Sequence, residues 1–140
     1  MPKSFFRGVL VVIIMLAGGC ASASTPSTKT PIQLSEADLP RLIGNWDGMV
    51  ESWEVGGTSP LSGTVSLKIQ DRGIAKFFLG TGENWDTIVQ LKSGKAGLGF
   101  AYGYREFILY EGNGRLILEA SYEALWQGRP RSFRIILTKR

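Results

Sequence analysis

Along most of this chain apolar and polar residues alternate one by one. Val65, Leu67 and Ile69 are interleaved with Thr64, Ser66 and Lys68, and Phe133, Ile135 and Leu137 with Arg134, Ile136 and Thr138. Leu116, Leu118, Ala120 and Tyr122 alternate with Ile117, Glu119, Ser121 and Glu123, and Leu98, Phe100, Tyr102 and Tyr104 with small residues from Gly97 to Gly103. Successive side chains of a strand point to opposite faces, so period two marks strands with one buried face. Turn-forming residues separate the runs at Gly56-Gly57, Asp71-Arg72-Gly73, Gly80-Thr81-Gly82, Ser93-Gly94 and Gly112-Asn113-Gly114. The pattern predicts about eight strands, at 45–54, 62–70, 74–79, 85–91, 96–103, 105–111, 115–123 and 131–139. Connections this short make consecutive strands antiparallel neighbours, so the fold class is all-β, an up-and-down meander. Such a meander can close into a small barrel, which leaves no strand edge exposed. Closure pairs the first strand with the last and sets Trp46 beside Leu137–Lys139.

The first 39 residues follow a different pattern. Residues 1–8 carry Lys3 and Arg7 and no acid, residues 9–16 are an unbroken apolar run, and Ala17-Gly18-Gly19 precede Cys20. Charged, apolar and small segments in that order are the layout of a cleaved secretory signal. The apolar run is shorter than the roughly 20 residues that a membrane-spanning helix needs. Leu16-Ala17-Gly18-Gly19-Cys20 resembles the lipobox of bacterial lipoproteins. That resemblance implies cleavage after residue 19, lipid on Cys20 and a membrane as partner. Ala21 follows the cysteine in place of aspartate, which by the family's sorting rule implies the outer membrane, facing the periplasm, in a cell with two membranes, and the outer face of the membrane in a cell with one. Residues 21–31 are Ser, Thr, Pro and Ala with one lysine, which cannot build a core and read as a flexible tether. Ser35 is a candidate helix cap with Asp38 three residues on, and Pro40 limits any helix there. The expected organisation is a signal peptide at 1–19, a lipid anchor and linker at 20–39, and a β-barrel domain at 40–140.

Composition narrows the chemistry. Without Lys3 and Arg7 the chain keeps 14 basic residues against 12 acidic ones. That balance is too mild to point to nucleic acid. Histidine is absent and Cys20 is the single cysteine, so the domain lacks the commonest general base and metal ligand and has no internal disulfide. Neither a phosphate-binding glycine loop nor a metal-ligand cluster stands out, and no cofactor or catalytic residue is expected. The loop from Gly80 to Asp86 holds the acids closest to a calcium pattern, and a plain hairpin loop accounts for it. The domain is therefore expected to bind rather than to catalyse.

Aromatic residues carry the remaining signal. Gly44-Asn45-Trp46 opens the first strand, and a Gly-x-Trp opening ahead of an up-and-down barrel resembles the calycins, which include the lipocalins. The resemblance implies a small lipocalin-like barrel in which Trp46 packs against a basic side chain near the chain's end, with Arg134, Lys139 and Arg140 as candidates. The Thr-Asp-Tyr motif and the long C-terminal helix of lipocalins are absent. Trp53, Trp85 and Trp126 fall near strand ends, where binding surfaces concentrate. Arg129 and Arg131 follow Trp126 in what reads as a loop suited to a protein interface or an anionic head group. Alternating glycines at 97–103 offer a face on which a ligand could lie, or room for the barrel's own packing. The candidate binding residues are thus Trp46, Trp53, Trp85, Phe100, Tyr102, Trp126, Arg129 and Arg131. The expected ligand is a small apolar or amphipathic molecule or an envelope fragment. The alternative is a docking module for an envelope protein. A hollow interior at Trp46, Phe100 and Tyr102 would favour the ligand, and a filled barrel with an exposed apolar loop patch would favour a protein partner.

Overall fold

The computed structural model describes residues 28–57, 59–100 and 103–140, without the side chain of Phe100. The expected signal peptide, Cys20 and Tyr102 lie outside the described residues. Among the described residues there are ten strands: β1 (Thr30–Ile32), β2 (Gly44–Glu54), β3 (Leu61–Ile69), β4 (Ile74–Leu79), β5 (Asn84–Ile88), β6 (Gln90–Lys92), β7 (Lys95–Phe100), β8 (Gly103–Gly112), β9 (Arg115–Trp126) and β10 (Arg129–Lys139). A one-turn helix, α1 (Leu39–Leu42), precedes β2. The sheet is antiparallel, runs in the order β5-β4-β3-β2-β10-β9-β8-β7-β6, and is nearly closed into a barrel. All eight expected strands are found. The first and last pair with Trp46 opposite Lys139, as closure of the meander requires.

Three differences from the expected pattern have physical causes. The strand expected at 85–91 breaks at Val89, whose backbone N–H is taken by the Gly73 carbonyl at 2.8 Å. Before the break the chain pairs with β4, and after it with β7. One stretch of chain thus serves both ends of the sheet, and the bend at Val89 brings them together. The Gly99 N–H spans the remaining seam to the Thr87 hydroxyl oxygen at 2.8 Å.

The second difference lies in the tether. Thr30–Ile32 pair with Leu109–Glu111 of β8, Leu34 is buried and bridges Gly94, and Leu39 packs on the core. The chain from Thr30 to Leu39, expected as linker, is therefore packed on the barrel. Its anchoring groups are three apolar side chains, Ile32, Leu34 and Leu39, set among polar ones, too sparse to register as a periodic pattern. The Asp38 carboxylate accepts the Ser35 N–H at 2.9 Å and its hydroxyl at 2.8 Å, the cap the sequence suggests.

The third concerns Trp126, Arg129 and Arg131, expected on a loop. They sit on the facing tips of β9 and β10, joined by a two-residue turn in which Gln127 and Gly128 have φ of 51° and 76°. Positive φ at both turn residues matches the twist of the flanking strands, so the strands run on to the tip. Asn113-Gly114 makes the same kind of turn between β8 and β9, with φ of 52° and 71°.

The two ends of the barrel differ. At one end α1 acts as a plug: Leu42 is fully buried, the Trp46 indole N–H donates to the Leu42 carbonyl at 2.8 Å, and Lys139 donates to the Arg41 carbonyl at 2.6 Å. Above this plug Leu67, Phe77, Leu98, Phe107, Leu118 and Leu137 are fully buried and fill the interior. Each such side chain contributes about 1.5–3 kcal/mol of hydrophobic stabilisation. At the other end are the β2–β3 connection and the β4–β5, β7–β8 and β9–β10 reversals. Because Thr30 pairs with Glu111, the chain enters the barrel at the plugged end.

Candidate functional site

The site is built where the sheet parts at the open end. β8 and β9 pair from Ile108–Gly112 to Arg115–Glu119. Beyond that point β8 pairs only with β7, through Gly103–Phe107, and β9 only with β10, through Ala120–Trp126. The two strands diverge, and between them lies a cleft of about 470 Å³ lined by Tyr104, Arg105, Glu106, Ser121 and Tyr122 among others.

Strand alternation decides which groups face inward. Phe107, Leu109, Leu118, Ala120, Ile135 and Leu137 are buried, so Arg105, Tyr122, Phe133 and Arg131 share the inward phase. Tyr122 and Phe133 stack with ring centroids 5.1 Å apart and planes at 12°. The Arg105 guanidinium lies over the Tyr122 ring at 4.3 Å, a cation–π geometry. Arg131 donates to the Ser52 carbonyl at 3.2 Å and to its hydroxyl at 3.3 Å. At the tip, Arg129 pairs with Glu54 at 3.6 Å. Among the described residues the charged inward-phase positions at this end are Arg105, Arg129, Arg131, Glu54 and Glu83, the last opposite Leu79 just before β5, so cations hold only a slight majority at the mouth.

The outer side of the cleft carries paired charges. Lys95 bridges to Glu106 at 3.3 Å. Glu119 accepts from Arg134 at 3.0 Å and from Lys29, which also lies over the Tyr110 ring at 4.6 Å. Partial burial pushes the Glu119 carboxyl up, but the hydrogen bonds from Lys29 and Arg134 outweigh it and hold the carboxyl below its ordinary value. A carboxylate whose folded pKa is depressed stabilises the fold above its unfolded value, and that contribution is lost as pH falls through the folded value. Stability of the wild type is therefore expected to fall more steeply than that of Glu119→Gln as pH drops from about 5 to about 3. Urea midpoints across that range check it, and parallel curves for the two proteins would contradict it.

The rim of the open end carries four exposed apolar side chains among charged ones such as Glu54 and Arg129. Leu125, Leu61, Val55 and Trp126 are exposed by 74%, 66%, 53% and 43%. Strands β2, β3 and the β9–β10 hairpin bring them to one end, although they lie far apart in sequence.

The expected binding residues separate into groups. Trp126, Arg129 and Arg131 come together at the rim. Trp85 faces inward, half-buried, 6.5 Å from Phe77 between ring centroids. Trp53 is half-buried on the outward phase of β2, opposite Ser132. Phe100 ends β7 opposite Gly103. Trp46 is corrected: it is fully buried at the plugged end, with Lys139 Nζ 5.9 Å from its ring centroid, and a ligand arriving from solvent cannot reach it. The space over Gly97 is also taken, because a Cβ there would overlap the Tyr104 phenol. Arg105, Tyr122 and Phe133 were not among the expected binding residues. Reading period two straight through 96–104 puts Tyr104 inward, whereas the chain reverses between Phe100 and Gly103, which sends Tyr104 outward and Arg105 inward. The expected strands at 96–103 and 105–111 already imply a reversal here, but Ala-Tyr-Gly carries no strong turn signature, so the alternation places it a few residues late.

Among the described residues no group of three or more His, Cys, Asp or Glu side chains could hold a metal ion. Comparison of the chain with protein-family models, with curated proteins and with solved structures finds no match.

Proposed function

We propose that this chain is a lipid-anchored cell-envelope protein of the outer membrane whose barrel is a non-catalytic module for docking an envelope protein. The observation that carries this reading is the exposed rim of Val55, Leu61, Leu125 and Trp126. Side chains scattered singly over a surface need no explanation, but four of the exposed large apolar ones lie at this end, and that concentration supports an interaction site there. The filled interior supports the same reading, since Trp46 and the layer above it are out of reach of a ligand. The tether enters at the opposite end, so the rim can point away from the anchoring lipid and toward a partner.

A second reading is favoured by the stacked Tyr122–Phe133 pair beneath Arg105. This arrangement suits a small amphipathic ligand with an anionic group, held in the cleft rather than in the barrel's depth. Native mass spectrometry of the full-length protein purified from its host separates the two. Protein docking gives a discrete co-purifying polypeptide, and a co-purifying small molecule with no polypeptide overturns it in favour of the second reading. The anchor has its own test. Cys20→Ser is expected to move the protein from the membrane fraction to the soluble fraction, because the several acyl chains on a lipoprotein cysteine supply the stable membrane affinity that a single chain does not. A variant that still sediments with membranes contradicts lipidation at Cys20.

A further inference from the structure

We infer that the plugged end of the barrel rests on the membrane and binds the anionic headgroups of its lipids. This inference rests on the lipid anchor proposed above and concerns the surface opposite the docking rim. The place where the chain enters sets the geometry. A Cβ on Gly112 would lie 3.3 Å from the Lys29 Cβ, so Thr28 and Lys29 run beside the β8–β9 turn at the plugged end. The chain from Thr30 to Leu39 is packed on the barrel and adds no reach. Only eight residues then separate Cys20 from Thr28. Fully drawn out, they span at most about 29 Å. A tether of that reach joins the lipid to the plugged end, so this end is the part of the domain nearest the membrane.

The charges complement an anionic surface there. Among the described residues, five cations of the plugged half are taken: Lys29, Arg41, Lys76, Lys95 and Arg140 pair with Glu119, Asp38, Asp86, Glu106 and Asp47. Lys68, Arg72, Lys92 and Arg115 are exposed and enter none of these pairs, and Lys139 donates to the Arg41 carbonyl. The acids left in this half are Glu36, Asp71 and Glu111, so cations keep an excess of two. In the open half Arg105, Arg129, Arg131 and Arg134 are balanced by Glu51, Glu54, Glu83 and Glu123. The charge is thus graded along the barrel, with the positive end toward the anchor. Two apolar side chains stand beside these cations. Ile74 and Ile88 face each other across β4 and β5 on the outer face, exposed by 51% and 61%. They adjoin the Asp71–Gly73 turn, which meets the plug where a Cβ on Gly73 would lie 3.6 Å from the Leu39 side chain. Apolar side chains beside basic ones suit the headgroup level of a bilayer, where buried apolar area and attraction to anionic lipid add together. The anchor holds this face beside the lipid at a high effective concentration. A contact too weak to recruit a free domain is therefore enough to orient a tethered one.

The test uses the full-length protein isolated from host membranes and added to preformed vesicles, of phosphatidylcholine alone or with phosphatidylglycerol mixed in. A fluorophore is attached at Ile88→Cys, an exposed position that tolerates the change, and a quencher is carried on the lipid headgroups. Lipid on Cys20 leaves the introduced cysteine as the one free thiol. Quenching is expected to be roughly fivefold stronger in the anionic vesicles at about 0.1 M salt. It is expected to fall to the neutral-vesicle level at about 0.5 M salt, and likewise in the Arg72→Gln/Lys92→Gln variant. The same fluorophore at Leu125→Cys, on the open rim, is expected to stay unquenched in both. Equal quenching at position 88 in the two kinds of vesicle, or equal quenching at 88 and 125, overturns the inference. Failure of the anchor is distinct, since an unlipidated Cys20 takes up the fluorophore in the wild-type chain. If the wild type takes up none and position 88 still goes unquenched, the anchor stands and the membrane contact is wrong.

Discussion

Replacing Gly48 by alanine is expected to remove a substantial part of the domain's stability, although it adds one methyl group. Gly48 lies opposite Leu137 on the seam where the first and last long strands close the barrel. A Cβ there would overlap the Ile136 carbonyl oxygen, with the carbonyl carbon at 2.7 Å and the Leu137 Cα at 2.9 Å. All three are backbone atoms, so no rotamer change can relieve the clash. The β2–β10 ladder would have to part, and with it the closure. Overpacking of a tight site costs about 1–3 kcal/mol and more where the backbone must shift, and the upper end applies here. Set against a typical total of roughly 5–15 kcal/mol, that is a loss large enough to see as a collapse of the urea midpoint. Gly63→Ala serves as the control, since its nearest neighbour would be the Val50 side chain at 3.7 Å, and it is expected to fold normally. A Gly48→Ala midpoint equal to that of wild type contradicts this account of the closure.

Trp46→Ala is expected to cost about 3–5 kcal/mol, the range for emptying a large aromatic site in a packed core. The indole is fully buried and does two things at the plugged end. It fills the base of the barrel, and its N–H satisfies the Leu42 carbonyl at the end of α1. Trp46→Phe keeps much of the volume and loses the hydrogen bond, so a smaller cost of about 1–2 kcal/mol is expected. Thermal unfolding of the two variants separates packing from hydrogen bonding. Equal losses would mean that the N–H, rather than the ring, holds the plug.

These two sites differ in how far they could be read from sequence. The strands at 62–70, 74–79, 115–123 and 131–139 were legible because their buried faces follow period two without interruption. Closure was legible as well, since a meander of that length that leaves no edge must pair its first strand with its last, and Trp46 does meet Lys139. Gly48 was not, because the sequence cannot show how closely two backbones approach. The bend at Val89 was hidden inside an apolar run that continues through it. The cleft was hidden for a related reason. Both β8 and β9 keep their alternation past Ile108 and Glu119, so the sequence shows two sound strands and not that they part. Arg105 took its inward place from a reversal between Phe100 and Gly103 that no Asn-Gly or Asp-Gly marks. Of the aromatic and arginine candidates, Trp126, Arg129 and Arg131 were found by their composition, and the structure gathers them at the rim with Val55, Leu61 and Leu125.

The rim is where the functional account is most directly tested. A photocrosslinking residue placed at Leu125 of the full-length, membrane-anchored protein in living host cells reports whatever touches the open end. The same residue at Lys68, exposed near the plugged end, reports incidental contact. The account predicts one discrete protein adduct from position 125, lost when Leu61 is changed to aspartate, and none from position 68. No adduct at 125, or the same adduct from both positions, would contradict it.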